Sequence, residues 1–295
     1  MLLLSAALAL TLQQSEERIL RPEEELVATE APTWRVNVGV KELLDANFDS
    51  SPGELGLRRW SGSLTYAFPA GATRIGLTPY AREYDFRFSG RTPFGTGEPF
   101  GDIHVFGFDV DAAHPVATNL QLYGSLDLEQ AQESGAQLGA NTAKVLSYFG
   151  WEMSPEFTLF VGVFHLHGIE DNITVPVVGF DWDFWKELAV VSDEDGTRLE
   201  YRPSPVLRLD LGVDGDVFQA RLGPSAAAPD GVLQYVELDL GVRAVWEPYQ
   251  DLQFVLGALL EAFADVELQD SGGGFRGNDR LEPAPVLYLA ARLRF

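Results

Sequence analysis

The sequence contains no cysteine, which excludes disulfide frameworks, thiolate metal sites and cysteine nucleophiles while leaving an oxidising compartment open. Basic residues are scarce. Acidic side chains outnumber Lys and Arg 44 to 21, and the net charge of -23 repels polyphosphates, so no nucleic-acid partner is expected. Long apolar runs are missing as well: no stretch reaches the roughly 18 residues that a membrane helix needs. Membrane-spanning strands are not excluded by this, because they alternate and leave only a weak hydropathy signal.

What is present is a chain of 295 residues, 46% of them hydrophobic, enough for one large folded domain. The run LLLSAALALTL before Glu16 has the length and texture of a signal-peptide core, so residues 1–15 are expected to be an export leader. The usual basic region before it is missing, which allows the true start to lie upstream. Residues 16–32 are acidic and read as a solvated periplasmic arm.

From residue 33 onward the chain alternates with a period of two. Trp34, Val36, Val38 and Val40 oppose Arg35, Asn37, Gly39 and Lys41; Val236, Leu238, Leu240, Val242 and Trp246 oppose Glu237, Asp239 and Arg243. These strands exceed the five or six residues common in soluble sheets and match the 9 to 11 or so that cross a hydrocarbon layer at a tilt near 45°. Short turns near Pro69, Pro115, Pro155, Gly215 and Pro248 alternate with long polar loops, the longest spanning 168–204. The expected fold is therefore an all-β, transmembrane up-and-down antiparallel β-barrel over residues 33–295, with about 12 strands and counts of 10 or 14 as alternatives. A β-sandwich or soluble calyx also alternates, and strand length and loop alternation argue against both.

The terminal strand PVLYLAARLRF puts Leu287, Leu289, Ala291, Leu293 and Phe295 on one face. It resembles the carboxy-terminal assembly signal of bacterial outer-membrane barrels, which implies that Phe295 is read by the barrel-insertion machinery. A wider resemblance covers residues 140–295. NITVPVVGFDWDFW, with Pro176, Gly179, Phe180 and Trp182, followed by Pro203 and Pro205, is similar to a family of bacterial outer-membrane proteins of unknown function. This chain departs from it by the acidic insertion SDEDGTRLE. The resemblance implies an architecture and a Gram-negative-type outer membrane, and brings no catalytic residue.

Charges on the face opposite the apolar one must look into the barrel, since lipid exposure is too costly. The lumen-lining candidates are Arg35, Arg59, Arg74, Asp127, Arg208, Asp210, Arg221, Glu237, Asp239, Arg243, Glu261, Arg292 and Arg294. Pairs of Asp210 with Arg221 and of Arg243 with Gln253 are expected across hairpins. Within the 168–204 segment, Phe180, Asp181, Trp182, Asp183, Phe184 and Trp185 are the candidates for a constriction folded into the mouth.

Catalytic signals are weak. Gly272, Gly274 and Gly277 form a nominal G-x-G-x-x-G with no helix after it. His165 and His167, near Glu170 and Asp171, make a poor metal motif, and Ser147 beside His165 is the sole hydrolase candidate. No cofactor, metal or enzymatic activity is expected. The reading is a narrow passive channel for small solutes or ions, with a non-conducting structural or surface-binding barrel as the alternative and an embedded hydrolase third. Its partners are outer-membrane lipids and the insertion machinery; nothing in the pattern specifies an oligomer.

Overall fold

A computed structural model describes residues 32–136, 141–169, 172–193 and 196–295. The expected leader lies outside the described residues, as does the acidic arm up to residue 31. The barrel wall consists of β1 (Thr33–Asn47), β2 (Glu54–Ala70), β3 (Thr73–Ser89), β4 (Ile103–Ala117), β5 (Leu120–Glu133), β6 (Asn141–Ser154) and β7 (Phe157–His167). It continues through β8 (Asn172–Trp185), β9 (Leu188–Asp193), β10 (Gly196–Ser204), β11 (Leu207–Arg221), β12 (Val232–Tyr249), β13 (Leu252–Gln269) and β14 (Ala284–Arg294).

Each strand pairs antiparallel with its chain neighbours, and β14 pairs with β1 to close a 14-strand cylinder. Trp34 and Phe295 exchange backbone hydrogen bonds of 2.8 and 2.9 Å at that joint. Closure follows from the solvent: in lipid an open edge leaves amides and carbonyls unpaired at several kcal/mol each. Residues 71–72, 118–119, 155–156, 186–187, 205–206 and 250–251 form the tight turns at the end that carries Thr33 and Phe295. The longer connections lie at the other end, including 90–102, 222–231 and 270–283, the last containing the added strand Phe275–Leu281 on β13.

The wall has fourteen strands, the higher of the two alternatives to the twelve expected, and two features account for the difference. The run Asp214–Asp216 looked like a turn because of Gly215, yet β11 passes straight through it. The 168–204 segment is not a loop but supplies β8, β9 and β10. Pro176 and the acidic insertion hid them, since proline and clustered charge both read as strand breakers.

The outward face is an apolar band: Leu240, Val242, Leu256, Leu287 and Leu289 are all exposed. Trp34, Trp151 and Trp246 mark its periplasmic edge, and Trp60 and Phe106 its outer edge, as expected of aromatic girdles at the two interfaces. This closed cylinder with an apolar exterior is an outer-membrane barrel of a Gram-negative-type cell.

The wall is uneven. Strands β12 and β13 have 18 residues each, whereas β9 has 6 and β10 has 9. Above Val213, β11 leaves its β10 neighbour and leans across the bore; Asp216 to Ala220 are buried on both faces, and Arg221 pairs in parallel with Gln132 of β5. The lumen's extracellular half is consequently filled: Phe86, Phe100, Phe218, Leu222, Tyr235 and Leu268 pack into one apolar core. Connection 222–231 is stitched to connection 90–102 by the Ala227 amide donating to the Pro99 carbonyl at 2.6 Å.

Candidate lumen site

Below that core lies a belt of charge. Lys41 on β1 places its ammonium 2.6 Å from Glu237 Oε1 and 2.5 Å from Asp239 Oδ2, both on β12. Arg59 on β2 reaches Asp216 of β11 at 2.7 Å and Glu237 at 3.2 Å, and the Tyr84 hydroxyl on β3 donates to the same Asp216 at 3.2 Å. Strands β2 and β3 are not neighbours of β11 in the wall, so these bonds span the bore. The lean of β11 makes them possible by carrying Asp216 inward.

Two further clusters flank the belt. On β5 and β6, Lys144 Nζ lies 3.0 Å from Glu129 Oε2, and the Tyr80 hydroxyl sits 2.7 Å from Asp127 and 3.0 Å from Glu129. Arg82 stacks its guanidinium 4.7 Å from the Tyr80 ring centre. Gly107 faces that ring, and a Cβ there would lie 2.1 Å from it, so only glycine admits the tyrosine. On β10 and β11, Glu200 accepts from Arg198 and Arg202 at 3.0 Å each, while Arg208 Nε bonds Asp210 at 2.9 Å. Arg243 grips Asp214 with both terminal nitrogens, Nη1 at 3.1 Å and Nη2 at 2.5 Å.

Glu129, Glu200, Glu237, Asp239 and Glu261 are all nearly inaccessible. One oxygen on each of Glu129, Glu237, Asp239 and Glu261 has no hydrogen-bonding partner within the protein. Buried polar valence of this kind is normally met by water. The belt is therefore a polar, hydratable diaphragm beneath an apolar cap.

Arg59, Asp127, Arg208, Asp210, Glu237, Asp239, Arg243, Glu261 and Arg292 do face the interior. Arg35, Arg292 and Arg294 contribute to a cleft at the periplasmic rim with Glu247, Asp251 and Gln253, and Arg74 bonds Thr33 at 3.2 Å at the same end. Arg221 sits instead at the tip of β11, donating to the Asp230 carbonyl at 3.0 Å. The expected Asp210 and Arg221 pair does not form, because both lie on one strand. Arg243 binds Asp214 rather than Gln253, which accepts from Arg292 at 3.1 Å.

The constriction assignment is corrected in the same way. Phe180 and Trp182 alternate with buried Asp181 along β8 and point outward, and Trp185 is among the most exposed side chains, so these rings sit on the bilayer side of the wall. At that rim Phe184 contacts both Trp182 and Trp185; Asp181 turns inward and accepts the Ser192 amide at 3.0 Å, while Asp183 pairs with Ala189 in the ladder. Sequence reading missed Glu129, Lys144, Asp216 and Glu200. The first two share the inward parity of Asp127, a signal the alternation carried.

Other candidates dissolve on inspection. His165 bonds Thr174 at 2.7 Å and stands opposite Val145, not Ser147. Glu170 and Asp171 lie outside the described residues, and among those described no group of acids and histidines could hold a metal. The glycine run forms a turn in which the Asp270 carboxylate accepts from the Gly272 and Gly274 amides at 3.0 and 2.8 Å, holding it below the ordinary aspartate range.

The sequence matches no family model and no curated protein. Among solved structures, the COG4313 outer membrane channel from Pseudomonas putida F1 shares 11% identity at a TM-score of 0.49, covering 94% of this chain and 100% of that one. The Ralstonia pickettii toluene transporter TbuX shares 11% at 0.40, covering 92% and 91%. The translocator domain of the autotransporter NalP from Neisseria meningitidis shares 10% at 0.40, covering 92% of each. With scores this low, the fold assignment rests on the closed wall itself.

Proposed function

We propose that the protein is a narrow passive channel for small solutes, held shut at rest by its charged diaphragm together with the apolar core that β11 carries into the bore above it. The observation that carries this reading is the bond of Arg59 to Asp216 across the bore. A barrel that served only as a structural wall gains little from buried ion pairs, since well-packed apolar side chains stabilise as much or more. Ionic bridges between separate walls, by contrast, can part and hydrate without damage to the ladder. Opposed charges then replace part of a permeant's hydration while blocking indiscriminate flow.

On this reading the partners are outer-membrane lipids, the barrel-insertion machinery and a small solute, and the chain is not an enzyme. Membership of the outer-membrane family whose motifs residues 140–295 resemble belongs to the same proposal. Planar-bilayer recording of the purified protein and of Asp216→Ser tests it. The variant should conduct more, and more continuously, than the wild type. Silence from both folded proteins would assign the barrel to the non-conducting role.

A further inference from the structure

Three rings near the periplasmic end face the lumen rather than the lipid. Tyr123 on β5 and Tyr148 on β6 stack with centres 4.7 Å apart, and Phe160 on β7 meets Tyr148 edge-on at 5.4 Å. All three are buried. The interfacial girdle does not account for them, because its rings on β6, Phe149 and Trp151, point outward. Phe160 leans over Gly150, where a Cβ would lie 3.1 Å from its ring, so a glycine and the small Ala113 leave space open beside the aromatics.

That space is a cavity of about 130 Å³. Its buried walls are aromatic, while Asn119, Gln121, Glu152 and Thr158 give it polar groups. Glu152 is exposed at the rim, where its amide donates to the Asn119 carbonyl at 3.0 Å. Among the described residues, the Gln121 side-chain amide and the Glu152 carboxylate have no hydrogen-bonding or ionic partner. Aromatic walls with a few convergent polar groups are the usual make-up of a small-molecule site.

Charge narrows what such a pocket takes. A carboxylate beside aromatic rings attracts a cation twice, once as an ion pair and once through the negative ring faces. The net charge of -23 concentrates cations around the chain. Arg35, Arg292 and Arg294 line a separate cleft on β1 and β14, and Arg74, the ladder neighbour of Ala113, bonds Thr33 on β1. An ammonium that carries hydrogens holds its own water, whereas a quaternary one has no donor to hydrate and settles against ring faces. Size agrees as well: an apolar cavity of roughly 150 Å³ holds benzene, and a trimethylammonium head has similar bulk.

We infer that this cavity binds a small hydroxylated quaternary ammonium ion, its head against Tyr123, Tyr148 and Phe160 beside Glu152 and its hydroxyl on Gln121. An apolar solute would leave the amide and the carboxylate without partners, and an anion would be repelled by Glu152. The site rests on the channel reading only in naming a class of permeant, and binding is measured apart from conductance, so either can fail alone.

Choline tests it, against a neutral isostere in which a tert-butyl group replaces trimethylammonium, by saturation-transfer proton NMR on the barrel in uncharged polyoxyethylene micelles. Choline should bind saturably and about tenfold more tightly than the isostere. Glu152→Gln, at the exposed rim, should weaken choline by about threefold and leave the isostere unchanged. Tyr148→Phe should keep the preference for choline and Tyr148→Leu should lose it. No saturable choline signal from folded wild type overturns the site. Equal affinity for choline and the isostere overturns cation recognition, and binding of glucose without choline assigns the polar rim to a sugar ring instead. Choline binding by a barrel that is silent in planar bilayers would keep the site and overturn the channel alone.

Discussion

Leu240 and Asp239 are chain neighbours on β12 with opposite environments, and their substitution measures the register directly. Leu240 is exposed on the outer face, opposite Val213 and Leu260, while Asp239 is buried against Lys41. Trp246 marks the periplasmic interface on the same strand. At about 3.3 Å per residue and a tilt near 45°, Leu240 stands about 14 Å above it, close to the centre of an apolar band about 25 Å tall. Leu240→Arg should therefore cost about 2 to 4 kcal/mol, and Tyr249→Arg, at the exposed turn, about 0 to 1 kcal/mol. Asp239→Asn leaves Lys41 its Glu237 partner, so it should cost less than Leu240→Arg. Reversible urea unfolding from lipid vesicles supplies all three values. Equal costs for Leu240→Arg and Tyr249→Arg would refute the depth assignment, and a reversed order of Leu240→Arg and Asp239→Asn would refute the register, because a one-residue slip exchanges the two faces.

Three further outcomes follow from the geometry. Removal of Phe295 deletes the exchange with the Trp34 backbone that closes the barrel, so the yield of inserted, protease-resistant protein should fall in a vesicle-insertion assay. Excision of 168–204 removes three wall strands and should abolish the folded barrel, seen as loss of the strand signal in circular dichroism; an intact, wider pore would contradict the fourteen-strand wall. Asp270, held low by two amides, favours its turn above the ordinary aspartate pKa of about 3.9 and loses that contribution as pH falls through its lower folded value. The Gly272 and Gly274 amide resonances should accordingly titrate with a midpoint below about 3.9, and Asp270→Asn should remove the transition.

Alternation made most of the barrel legible, because a wall with lipid on one side and a polar interior on the other imposes a period of two on every strand it contains. The inward parity of Arg59, Glu237, Asp239 and Arg243 was readable for that reason. It failed where the wall departs from that simple contrast. The inner face of β8 carries Ile173, Val175 and Val177, so neither face is polar and the strand resembles a folded-in segment. Gly215 interrupts β11 in composition but not in backbone: Asp214 pairs with Arg243 of the neighbouring β12, while Asp216 meets Arg59 only through the lean across the bore. Past Glu261 the ladder between β12 and β13 shifts register, so Asp265, four residues on and of the same parity, leaves the inward row. Partners that meet across the lumen, such as Arg59 with Asp216, leave no periodic trace at all.

The difference in height around the wall also bears on the surrounding lipid. On the β12 and β13 side the cylinder overtops the hydrocarbon, whereas the β9 and β10 hairpin ends early. A bilayer meeting a short span responds by thinning or by tilting the protein, at a fraction of a kcal/mol per Å of mismatch. The leaflet is consequently most compressed beside the hairpin and relaxed on the far side, which gives the barrel a mechanical polarity within the membrane plane. Two barrels that turn their low sides together share one dimple in the membrane, so thickness alone provides an orienting force between them.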